Sequence, residues 1–191
     1  MSGTTTIRYG AGLSDCGTYR YWLTRTWDDA RPPLAVVGLN PSTADAEQDD
    51  PTIRRCMGFA WAWGHGGLVM LNLFALRSTD PKGLRRAFDP VGPANDATLL
   101  EATKGRRVLC AWGAHGTYCD RNRRVLDLFN DMDMADGADA ARDLVCLGTT
   151  QDGHPRHPLY VRADQPPVLF CWLSEKECGK TVAQLSREAR R

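Results

Sequence analysis

Four short apolar runs constrain most strongly what this chain can fold into: Leu34-Ala35-Val36-Val37, Leu68-Val69-Met70-Leu71, Val108-Leu109-Cys110-Ala111 and Leu144-Val145-Cys146-Leu147. Each is continuous in hydrophobicity yet only strand-length, the pattern of strands buried on both faces of a parallel sheet. Each also ends in polar or glycine residues. The first runs into Gly38-Leu39-Asn40-Pro41-Ser42, the second into Asn72 and the third into Trp112-Gly113. The fourth leads through Gly148 to Gly153-His154-Pro155-Arg156-His157-Pro158-Leu159. Ligands of open α/β sheets bind outside the carboxyl ends of the strands, so the four ends read as one composite site.

Helix signals separate the runs. Asp50-Pro51 pairs an N-cap aspartate with proline at the first helical position. Ile53, Cys56, Met57, Ala60 and Trp61 then recur at three- and four-residue spacing until Gly64. Further helices are expected over residues 83–88, 93–103 and 114–130, the last burying Val125, Leu126, Leu128 and Phe129. The acidic stretch 131–143 reads as a loop, and 173–191 as a terminal helix. Before the first run, Ile7-Arg8-Tyr9 and the segment from Tyr19 to Trp27 alternate aromatic and polar residues, an edge hairpin joined through Cys16-Gly17. Strands alternating with helices predict a single α/β domain over residues 1–191: a three-layer α/β/α sandwich around a four-stranded parallel central sheet. Residues 1–30 form its hairpin extension and 171–191 its C-terminal helix.

Composition excludes several classes. At 191 residues, 42% hydrophobic and 25% charged, the chain has the make-up of one ordinary globular domain. No apolar run approaches the ~18–20 residues of a membrane helix, so no membrane association is expected. Met1-Ser2-Gly3-Thr4-Thr5-Thr6 has neither a basic region nor an apolar core, which leaves the cytoplasm as the expected location. Seven cysteines make an odd number without a C-x-x-C pair, so neither a disulfide framework nor a metal site is expected, and no cofactor motif is present. A net charge of +1 supplies no whole-molecule field toward nucleic acid. Local pairs such as Arg54-Arg55 and Arg123-Arg124 read as solvated faces.

In order, the four strand ends resemble the motifs of the uracil-DNA glycosylase superfamily. Gly38-Leu39-Asn40-Pro41-Ser42 is similar to the first motif of its mismatch-specific branch, which positions the hydrolytic water. Leu71-Asn72-Leu73 resembles the strand whose terminal asparagine bonds an extruded base. Ala111-Trp112-Gly113-Ala114-His115 resembles the segment after the third strand, and His154-Pro155-Arg156-His157-Pro158-Leu159 the final histidine–proline motif. The string Asn40-Pro41-Ser42-Thr43-Ala44-Asp45 also resembles a bacterial and phage family known only as a domain of unknown function, a likeness spanning about residues 15–170. The glycosylase resemblance implies that fold and a base-excising, N-glycosidase-like hydrolase. Its substrate would be an unusual or modified nucleobase in DNA or in a nucleoside or nucleotide. The chain departs from the pattern at Ser42, where the mismatch-specific branch has glycine, and in carrying two histidines that can fill the histidine's place.

The chemistry follows from the residue types. Glycosidic cleavage makes the sugar cationic and the departing base anionic, so catalysis is mainly electrostatic stabilisation and water placement. Asn40 can hold a water but is no strong base; Asp45 or Asp49, in the cluster Asp45, Glu47, Asp49 and Asp50, is the candidate base. His157 or His154 would stabilise the leaving anion, by about 3–4 kcal/mol for a single oxyanion donor. Asn72 offers a donor and an acceptor side by side to a base edge. Phe59, Trp61, Trp63 or Phe74 would stack on it. The expected catalytic set is therefore Asn40, His157, His154 and Asp45. The expected binding set is Gly38, Leu39, Pro41, Ser42, Asn72, Phe74, Trp112, Gly113, Arg156 and Leu159. The same residues also fit a non-catalytic module for nucleotides or nucleic acid, and Asn40 can equally close its own turn while Trp112 packs in the core.

Overall fold

The computed structural model describes residues 6–42, 48–78, 81–137 and 141–171, through which runs one seven-stranded sheet. Its strands are β1 (Arg8–Leu13), β2 (Arg20–Thr26), β3 (Pro33–Gly38), β4 (Gly67–Asn72), β5 (Arg107–Cys110), β6 (Asp143–Cys146) and β7 (Val168–Leu169). In space they lie in the order β1-β2-β4-β3-β5-β6-β7. The inner strands β4, β3, β5 and β6 are parallel to one another. The β1–β2 pair joins β4 antiparallel, and β7 joins β6 antiparallel. The expected four-stranded sheet is thus corrected to a mixed sheet of seven, because chain on both flanks adds antiparallel edges.

Period-two alternation divides the inner strands between two cores. Ala35, Val37, Val69, Leu71, Val108 and Cys110 face one side. There they meet Leu99 of α3 (Asn95–Thr103) and Val125, Leu126 and Phe129 of α4 (Arg121–Asp136). Leu34, Val36, Leu68, Met70 and Leu109 face the other side, against Ile53, Cys56, Phe59 and Ala60 of α1 (Pro51–Ala62). Helices therefore cover both faces. The helix expected over residues 83–88 is instead a single turn, α2 (Pro81–Leu84), whose Leu84 joins the first of these cores.

The path between strands creates a crevice. From β3 the chain passes through α1 to β4 on one side, then through α3 back past β3 to β5 on the other. The order reverses between β3 and β5, and a reversal of this kind separates the loops above the strand ends. The Asp50 carboxylate fixes where α1 begins, accepting from the Ile53 amide at 2.7 Å.

Several local expectations need correction. Residues 114–120 form a 3-10 segment instead of opening a long α-helix, because Cys119 and Asp120 adopt left-handed φ values of 53° and 57°. The helix instead runs on to Asp136 and stops at Gly137, whose φ of 85° suits a residue without Cβ. Cys171 is disulfide-bonded, contrary to the reading of the cysteine count. The helix expected over 173–191 lies outside the described residues. Among the described residues no helix is long and apolar enough to cross a membrane.

A buried arginine joins β6 to the helical layer. Arg142 donates from Nε to Thr103 Oγ1 at 2.7 Å and from Nη2 to the Leu100 carbonyl at 2.8 Å, and pairs with Asp133. Its guanidinium also lies 4.7 Å from the Phe129 ring centroid. Truncating Arg142 strips Thr103 Oγ1, the Leu100 carbonyl and the partly exposed Asp133 of one shared partner, so Arg142→Ala should lose about 3 kcal/mol in chemical denaturation.

Candidate functional site

A cleft of about 750 Å³ opens over the carboxyl ends of β3, β4 and β5. Gly38, Leu39, Asn40, Ser42, Asn72, Trp112, Gly113, Arg156 and His157 line it, bringing together most of the expected site from four separate segments. Pro41, Phe74, His154 and Leu159 are not part of that lining. Phe74 is fully buried in the core beside Tyr118, since the chain turns inward after β4. Pro41 acts through its carbonyl, which accepts from the Ser78 amide at 3.0 Å. His154 belongs to a tight turn, its carbonyl accepting from the Thr150 amide at 2.8 Å. Leu159 projects into solvent, 41% exposed. Asp45 lies outside the described residues.

Asn72 is the unusual member. It ends β4 opposite Gly38 of β3, is 1% exposed, and lines the cleft. Both its Nδ2 and its Oδ1 are buried without a hydrogen-bond partner among the described residues. A buried polar atom left unpaired costs about 1–3 kcal/mol, so this amide is held at a cost that a ligand with the complementary pair would offset. Gly38 makes the placement possible: a Cβ there would stand 3.0 Å from Asn72 Oδ1 and 2.7 Å from Met70 Cε. Behind the strand end, Asn95 Nδ2 donates to the carbonyls of Asn72 and Leu73 at 3.1 and 3.0 Å, and Arg121 Nε donates to Leu73 at 2.8 Å.

Asn40 is anchored differently. Its Nδ2 donates to the Ser78 carbonyl at 2.7 Å and to that of Pro41 at 3.1 Å, which leaves Oδ1 as the acceptor available to the cleft. Asn40 thus both closes its loop and keeps the atom that would hold a water. Ser42 Oγ donates to Asp50 Oδ2, so Asp50 caps α1 with one oxygen and fixes Ser42 with the other. Asp49 is turned away into an ion pair with the fully buried Arg25, at 2.8 Å.

His157 supplies a neutral donor. Its Nδ1 accepts from the Leu159 amide at 3.3 Å, so in the neutral ring the proton resides on Nε2. Burial pushes its pKa below the usual histidine value, with Asp50 opposing the shift. Arg55 of α1 holds this loop, donating to the carbonyls of Pro158 and Val161 at 3.3 and 2.8 Å.

The lining also includes groups that residue-by-residue reading passed over. Arg20 of β2 is 2% exposed and reaches the cleft; burial lowers its pKa to about 10, with Asp50 partly offsetting the effect, so it remains a cation near neutrality. It was hidden in the polar half of a strand alternation. Asp50, expected as the cap of α1, lines the cleft as well. Tyr160, 81% exposed, brings an aromatic ring to the cleft, 5.5 Å from that of His157. The expected stacking rings lie elsewhere: Phe59 is in the core packed beside Trp63, and Trp61 stacks on Trp27 at 4.8 Å. Trp112 is 2% exposed and packs edge-on against Phe170, so it lines the cleft as part of its wall. Among the described residues no three histidine, cysteine or acidic side chains are grouped to hold a metal ion.

The chain belongs to the family described as Protein of unknown function (DUF1643), whose model matches residues 20–159. That span includes β2 through the His157 loop and hence the lining segments described above. No curated protein and no solved structure matches the chain.

The His157 environment sets a pH dependence. Below an unfolded-state value near 6.5 the unfolded chain binds a proton that the folded ring resists, so stability should fall as pH drops through about 6.5 toward the lower folded value. His65, also shifted down by burial, contributes in the same direction. Denaturation between pH 7 and 5 should show a smaller loss for His157→Gln than for the wild type.

Proposed function

We propose that the cleft binds a nucleobase and that the protein is an N-glycosidase-like hydrolase acting on an unusual or modified base. The observation carrying this reading is the Asn72 carboxamide, buried with donor and acceptor both unpartnered. A nucleobase edge presents the matching acceptor and donor side by side. The resemblance of the four strand ends to the uracil-DNA glycosylase superfamily supports the same assignment, including its fold.

In this reading Asn72 holds the base and His157 Nε2–H faces the oxygen on which negative charge grows. The neutral ring suits that role, because the Leu159 amide holds Nδ1 as an acceptor and so fixes the one N–H on Nε2, a donor in place before the charge develops. As the glycosidic bond breaks, its electron pair leaves with the base. Asn40 Oδ1 orients a water toward the sugar carbon, and the Asp50 carboxylate, fixed by Ser42, faces the cation that forms. The water's oxygen bonds to that carbon and its proton passes to solvent or to the leaving base.

One observation favours a second reading, a non-catalytic nucleotide-binding module. Asp50 already accepts from the Ile53 amide and from Ser42, so no carboxylate of the described lining is devoted to activating water.

The test is release of free base from nucleosides and oligonucleotides bearing a broad set of modified bases. Wild-type turnover reduced about 10²-fold or more by Asn72→Ala and by His157→Gln supports the hydrolase, the size expected for loss of one preorganised donor. Asn40→Ala should abolish turnover and retain binding. Binding without release by the wild type supports the module, and a folded protein that neither binds nor releases any base contradicts both.

A further inference from the structure

We propose that the occupant of the cleft is a free nucleoside monophosphate, with its base on Asn72 and its phosphate on Arg156. This rests on the nucleobase reading and adds the other end of the ligand.

The cleft is graded in depth and charge. Asn72 lies at its floor, whereas Arg156 and His115 are exposed at its mouth. Among the ionised side chains of the described lining, Arg20 is buried whereas Arg156 stands at the mouth, where an anion would be received. Asp50 is itself engaged by Ser42 and the Ile53 amide.

Arg156 is presented by a braced loop. Its amide donates to the Gly148 carbonyl at 2.9 Å and its Nε to the Thr149 carbonyl at 3.0 Å. The adjoining Pro155 carbonyl accepts from Gly113 at 3.0 Å, tying the loop to the end of β5. The two Nη atoms make no hydrogen bond or ion pair among the described residues. A guanidinium with its Nε restrained and its planar fork open is suited to two phosphate oxygens.

Two further points select a mononucleotide over a polymer. A volume of about 750 Å³ falls in the range that encloses a whole small ligand. Binding to a nucleic acid strand depends on neutralising several successive phosphates. Here Arg156 is the one exposed arginine or lysine of the described lining, and the chain's net charge is only +1. One phosphate is matched, not a run of them.

The experiment is calorimetric titration with nucleoside 5′-monophosphates, their parent nucleosides and a single-stranded oligonucleotide. At least one monophosphate should bind about ten-fold or more tightly than its nucleoside, as a charge-assisted contact provides. Arg156→Gln should weaken the monophosphate about ten-fold more than the nucleoside, Arg156→Lys should keep part of the difference, and Asn72→Ala should weaken both ligands. Equal affinity for nucleotide and nucleoside would overturn the proposal, as would binding confined to the oligonucleotide. Nucleoside binding that depends on Asn72 but gains nothing from phosphate overturns this proposal alone. Failure of every base-bearing probe to bind overturns the nucleobase reading with it.

Discussion

The parallel register that sets Gly38 beside Asn72 is the constraint on which the site depends. It brings a residue without a side chain next to one whose carboxamide needs the space, at the point where two inner strands end. The amide is consequently taken out of water while both its polar atoms stay unpaired among the described residues, an arrangement that folding alone does not favour. Asn95 and Arg121 stabilise it indirectly by capturing the carbonyls at the end of β4. The cost is local, and it is borne at the floor of the cleft, where a ligand would remove it.

Around that floor the loops are stitched to one another and not left to solvent. The Phe74 amide donates to the Leu39 carbonyl at 3.0 Å, and Asn40 reaches across to Ser78 at 2.7 Å. Gly113 reaches Pro155, and Arg55 of α1 holds the carbonyls after His157. Each bond joins segments far apart in sequence, so the side chains facing the cleft are positioned before any ligand arrives. Preorganisation of this kind is what makes a few polar groups effective in recognition and in stabilising developing charge. Asn40 and Asp50 show the same economy, each using one side-chain atom in a structural bond that orients the other.

Much of the fold was legible because hydrophobicity does the same job in sequence and in space. Leu34 through Val37 is buried on both faces and reads as a continuous apolar run, and Asp50-Pro51 starts α1 by local capping alone. Val168–Leu169 escaped notice because two residues following Pro166-Pro167 carry no period. The break at Cys119 and Asp120 escaped because neither residue type announces a left-handed backbone. At the site, asparagine and glycine at strand ends could be read from position, whereas Arg20 could not. Its strand reaches the cleft only through the antiparallel pairing of β2 with β4, a long-range contact without a local signature. Phe74 illustrates the reverse error: an aromatic two residues past Asn72 looks available to a ligand, yet the chain direction sends it into the core.

The central claim is that the Asn72 carboxamide awaits a partner with a donor and an acceptor. It is tested most directly by following the Asn72 side-chain NH₂ resonances by ¹⁵N NMR, assigned through Asn72→Asp, while free nucleobases are titrated in. The account predicts a saturable downfield shift and slowed hydrogen exchange with at least one base. Side-chain resonances that stay unmoved while the backbone of the cleft responds would contradict it.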